Sequence, residues 1–153
     1  MIKGRILKMG MSLSRKVLSV SSIFEFINGG LMFFVAVWSL VSGFTAMHNP
    51  AYALSGNHLV GTLFIIGILF TICALGTLIY GVLQRRAAKD PAKITPVWVM
   101  SLAFVVINTF IIIYYLFQDF AIHDIAIELL SLSLAVVVFI ASDIIKKEAD
   151  FGL

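Results

Sequence analysis

Four long apolar runs, at about residues 20–43, 58–83, 97–117 and 125–145, limit what this chain can fold into. Each exceeds the roughly 20 residues an α-helix needs to cross a hydrocarbon core about 30 Å thick. A lipid-exposed backbone must satisfy its own hydrogen bonds, which leaves helices or a closed barrel. Barrel strands alternate polar and apolar residues, whereas Phe64-Ile65-Ile66-Gly67-Ile68-Leu69-Phe70 is apolar on every side. The spacing therefore predicts helices. With 61% of 153 residues hydrophobic and only 12% charged, little is left from which to build a separate soluble domain. The expected fold class is all-α: an integral membrane bundle of four transmembrane helices, arranged as two antiparallel hairpins in one domain over residues 1–153.

Orientation follows from the basic residues. Lys3, Arg5, Lys8, Arg15 and Lys16 precede the first run, Arg85, Arg86, Lys89 and Lys93 separate the second from the third, and Lys146 and Lys147 follow the fourth. The connections at 45–57 and 118–124 contain no Lys or Arg. The positive-inside rule then places these two connections outside, and the 84–96 connection and both termini in the cytoplasm of a cell membrane. The same distribution accounts for the net charge of +3 without nucleic acid as a partner. The absence of an Asn-x-Ser/Thr sequon fits a bacterial source.

The amino-terminal segment pairs a basic stretch with an apolar one, as a signal peptide does, but the apolar part is about twice the usual length. It reads as an uncleaved first helix. Residues 1–19 mix apolar and basic side chains, which suits either a segment lying on anionic lipids of the inner leaflet or a solvated tail.

Cys73 is the only cysteine, so the chain alone makes neither a disulfide nor a thiolate metal site; it is expected to be a packing residue. The pairs Ser39/Gly43 and Thr77/Gly81, and the Gly29-Gly30 step, offer close helix approach. Phe26-Ile27-Asn28 and Val106-Ile107-Asn108 suggest a faint likeness between the first and third helices.

Ionisable and amide groups that lipid should exclude are the candidates for function. Glu25 lies inside the first run, one turn before Asn28. The two are expected either to line a polar site for a proton or cation, with Asn108 facing them, or to be satisfied locally: Glu25 by water or a basic residue near the inner interface, each Asn by a neighbouring helix. A second group is expected at the outer face: His48, His58 and His123 with Asp119, Asp124 and Glu128. Imidazole and carboxylate suit a transition metal, but no HExxH-type spacing is present, and a solvated acidic rim is the simpler expectation.

No phosphate-binding loop, GxSxG elbow or mid-span histidine occurs, so neither nucleotide-driven catalysis nor haem binding is expected and no cofactor is assigned. Ser131, Ser133 and Ser142 are expected to bond the preceding helical turn, and Asp143 to sit beside Lys146 and Lys147. Trp38, Tyr52, Trp98, Tyr114 and Tyr115 read as interfacial anchors. The expected role is a non-enzymatic bundle embedded in lipid, acting as a homo-oligomer or as an accessory subunit of another membrane protein. The alternatives are a small proton- or cation-linked transporter or channel using Glu25 and Asn28, and a metal-dependent membrane enzyme with an outward site.

Overall fold

The computed structural model describes the backbone of residues 2–48, 58–117 and 122–151, and side chains over 13–48, 58–117, 126 and 128–150. Four helices account for nearly all of it: α1 (Ile2–His48), α2 (His58–Lys89), α3 (Thr95–Leu116) and α4 (Ile122–Phe151). Each is long and apolar enough to cross a membrane, and no strand occurs among the described residues. The connections at 49–57 and 118–121 lie outside the described residues.

The helices outrun the apolar segments that predict them. α1 is 47 residues long, or about 70 Å at 1.5 Å per residue, against a core of about 30 Å. Its Ser14, Leu18, Ser21 and Ser22 are buried, so one face of residues 14–22 packs against protein. α2 continues to Lys89, and α4 to Phe151, well past the expected 83 and 145. Hydropathy marks where a helix meets lipid, whereas the helix itself ends only where the backbone is interrupted.

Pro91 supplies that interruption after α2. It opens a 3-10 turn, Pro91–Lys93, capped by Asp90, whose Oδ1 accepts the Ala92 N–H at 3.2 Å and whose Oδ2 lies 3.1 Å from Lys93 Nζ. Hydrogen bonding to the Lys93 ammonium and then to the Ala92 N–H holds the Asp90 carboxyl below the usual carboxylate range.

The chain forms two compact units, Ile23–Gly81 and Met1–Ser22 with Val82–Leu153. In the first, α1 and α2 pair antiparallel through small residues. A Cβ on Gly29 would stand 2.8 Å from Leu78 Cγ, and one on Gly67 would stand 2.7 Å from Leu40 Cγ. Each glycine thus receives a leucine from the other helix. Gly43 meets Leu63 and Phe64, and Phe44 sets its ring edge-on to Phe64 with centroids 5.1 Å apart. The same pattern serves both partners: Gly29, Ala36, Ser39, Leu40 and Gly43 in α1 recur at identical spacing as Gly67, Ala74, Thr77, Leu78 and Gly81 in α2. Large apolar side chains point away, with Phe34 66%, Trp38 67% and Ile65 61% exposed. That is the arrangement lipid favours, since helices there gain no hydrophobic advantage from burying large residues and associate through close packing.

Cys73 belongs to this outward surface. The expectation that it packs inside is corrected: it falls beside the stripe of Gly67, Ala74 and Leu78 and is exposed.

In the second unit, α3 and α4 form an antiparallel hairpin held by a ladder of polar contacts. Trp98 Nε1–H donates to Asp143 Oδ1 at 3.2 Å, Ser101 and Ser142 hydroxyls approach to 3.3 Å, and Ser131 donates to Asn108 Oδ1 at 2.9 Å. Lys146 Nζ sits 3.7 Å over the Trp98 ring, and Lys147 pairs with Asp143 at 2.7 Å. Trp98 is therefore a packing and hydrogen-bonding residue as well as an aromatic flank.

The glycine contacts differ enough to be separated by one substitution each. Gly67→Ala should destabilise the protein by about 1–3 kcal/mol through overpacking against Leu40 and the Ala36 carbonyl. Gly76→Ala, with nothing within 4 Å, should be neutral or stabilise by up to about 1 kcal/mol through helix propensity. Unfolding of both variants in the same detergent measures the difference.

Candidate functional site

Glu25 lies on the packed face of α1, four residues before Gly29 and seven before Met32, and is half-buried. It makes no hydrogen bond or ion pair with the described residues. Asn28, one turn on, is exposed, and its amide also has no side-chain partner among the described residues. A carboxyl and an amide thus occupy adjacent positions of a span with hydrogen-bonding capacity unspent.

Asn108 differs in kind. Its Nδ2–H donates to the Phe104 carbonyl at 2.7 Å while Oδ1 accepts from Ser131, and only 9% of the residue is exposed. It links α3 to α4. Ser133 and Ser142 bond the preceding turn, to Leu129 and Phe139 carbonyls, as expected; Ser131 instead reaches across to Asn108.

Among the residues expected at an outer metal site, His48 and His58 are exposed and Glu128 is half-buried, while the side chains of His123 and Asp124, and Asp119 altogether, lie outside the described residues. His48 Nδ1 stands 2.8 Å from the Phe44 carbonyl, so that nitrogen carries hydrogen and Nε2 alone keeps a free lone pair. Among the described residues no three His, Cys, Asp or Glu side chains are grouped closely enough to hold a metal ion.

Sequence reasoning missed a third set. In the unit formed by residues 1–22 and 82–153, Gln84 is completely buried with both side-chain amide atoms unpartnered, and the same holds for Ser21 Oγ and Glu148 Oε2. Their signal was periodicity. Gln84 continues the stripe of Gly67, Ala74 and Gly81 on α2, and Glu148 continues Val138, Ala141 and Ile145 on α4. Both fall beyond the apolar runs, where a hydropathy reading assigns them to solvent.

The chain matches no family model, no curated protein and no solved structure. Its chemistry must be argued from its own residues.

The interhelical role of Asn108 is directly measurable. Asn108→Ala should cost about 0.6–2 kcal/mol of unfolding free energy in detergent. A double-mutant cycle with Ser131→Ala should return a coupling of the same sign, because one hydrogen bond joins the two side chains.

Proposed function

We propose that the protein is a non-enzymatic, multi-pass component of the cell membrane, with both termini cytoplasmic, that works through helix contacts. It acts as a homo-oligomer or as an accessory subunit of a larger membrane complex. The observation carrying this reading is Asn28: an amide exposed on the surface of a membrane-spanning helix, without a partner among the described residues. Lipid offers it no hydrogen bond, whereas another protein helix does. The clustering of every Lys and Arg in the amino-terminal part of α1, around the α2–α3 connection and near the carboxyl end of α4 supports the orientation, and the basic amino-terminal part of α1 supports anionic lipid as a further partner.

Gentle extraction from the native membrane followed by native mass spectrometry tests the proposal. The expected result is a species heavier than one chain at fixed stoichiometry, which Asn28→Leu converts largely to single chains. A wild-type protein that is monomeric under these conditions would sink the idea.

A second reading, a small proton- or cation-linked transporter or channel, is favoured by Glu25, an unpaired carboxyl on the packed face of a span. It expects reconstituted liposomes to pass protons or monovalent cations, and Glu25→Gln to abolish the flux. Flux that survives Glu25→Gln, or none from the wild type, removes this reading.

A further inference from the structure

Near the carboxyl end of α4, two adjacent lysines share one carboxylate. Asp143 spends Oδ1 on the Trp98 indole N–H at 3.2 Å and Oδ2 on Lys147 Nζ at 2.7 Å. Lys146 has no ion-pair partner among the described residues. Its Nζ rests 3.7 Å over the Trp98 ring, which itself lies against Phe139 with centroids 5.9 Å apart. An indole face holds an ammonium in place without neutralising it. Of the acids further along α4, Glu148 is buried on the stripe of Ala141 and Ile145, away from Lys146, and Asp150 pairs with neither lysine. The Pro91–Lys93 turn packs against α4 in the same unit, and there Asp90 is taken by Lys93. A positive charge is therefore left over and fixed in position.

The adjoining surface of α4 is apolar. Val137, Ile140 and Ile144 stand at i, i+3 and i+7 of the helix with Lys147 at i+10, so all four share one stripe, and the three apolar residues are 49%, 53% and 37% exposed. The stripe belongs to a membrane span, and the two ammonium groups stand at its end. An apolar strip ending in surplus positive charge complements a phospholipid of net negative headgroup. A zwitterionic headgroup brings an ammonium of its own to a site already in excess of cations, and a free phosphate makes no use of the stripe.

We propose that Lys146 and Lys147, steadied by Trp98 and Asp143, bind the phosphate of an anionic phospholipid whose acyl chain lies along Ile144 and Ile140. The site is separate from the basic amino-terminal part of α1. It rests on the membrane setting of the proposed function but not on the Asn28 contact.

Trp98 reports on its own neighbour. In a Trp38→Phe background it is the sole tryptophan, and lipids with brominated acyl chains quench an indole only at close range. The full chain is reconstituted in liposomes carrying brominated phosphatidylglycerol or brominated phosphatidylcholine at equal mole fraction. Phosphatidylglycerol should bind beside Trp98 about fivefold more strongly, the increment expected of one unneutralised cation near an anionic headgroup. Lys146→Gln with Lys147→Gln should bring the ratio close to one, whereas Arg85→Gln with Arg86→Gln, exposed residues of the same unit, should leave it in place. Equal binding of the two lipids by the wild type, or a preference that survives loss of both lysines, would overturn the proposal. So would an equal loss in the arginine variant, which would mean diffuse surface charge. Excess inorganic phosphate should not change the ratio; a preference abolished by it would assign the lysines to free phosphate and overturn the lipid site. Oligomeric state is read by mass and this site by Trp98 fluorescence, so the two proposals fail separately.

Discussion

In lipid, two helices gain no hydrophobic advantage from touching, since a methylene chain is as apolar as a leucine. Everything holding this protein together must therefore come from close van der Waals contact or from polar groups meeting across a helix boundary. The structure uses the two means in different places. α1 and α2 approach through Gly29 and Gly67, each filled by a leucine of the other helix. α3 and α4 are instead tied by Trp98–Asp143 and Asn108–Ser131. Large side chains such as Phe34, Trp38 and Ile72 are left to the surroundings, the inverse of a water-soluble core.

Against that background, polar groups sort by whether their bonding capacity is used. Asn108 is spent on Phe104 and Ser131. Asn28, of the same residue type, is exposed. Residue identity alone does not distinguish a bonded amide from an exposed one, because the difference lies in what the neighbouring helix presents. Ser131 faces Asn108 and bonds it.

The number and type of elements were legible because hydropathy runs longer than a bilayer is thick admit few other solutions. Helix ends were not. The sequence reading stopped α2 at residue 83 and α4 at 145, where lipid contact weakens, but the backbone continues to Lys89 and Phe151. Gln84 and Glu148 were lost with those extensions. Glu25 and Asn28 were legible as groups out of place in an apolar run, and Asn108 was legible as polar without its partner. The repeated spacing of Gly29, Ala36 and Leu40 in Gly67, Ala74 and Leu78 was also present in the sequence, but it acquires meaning only when the two helices face each other. His48, His58, His123, Asp124 and Glu128 could be ranked by chemistry but not by distance, since they come from the ends of three different helices and spacing within one helix does not say how close those ends stand.

The paired glycines also restrict how this hairpin can move. Sliding α1 past α2 by one turn would bring Leu78 opposite Glu25 or Phe33 and Leu40 opposite Leu63 or Thr71, none of which leaves the space a glycine does. Two such mismatches would arise together, so a slipped arrangement has no neighbouring minimum to settle into. Piston-like displacement is closed to α1 and α2. Any change of shape within this pair must proceed by splaying or rolling about the glycine contacts, with the longitudinal register kept.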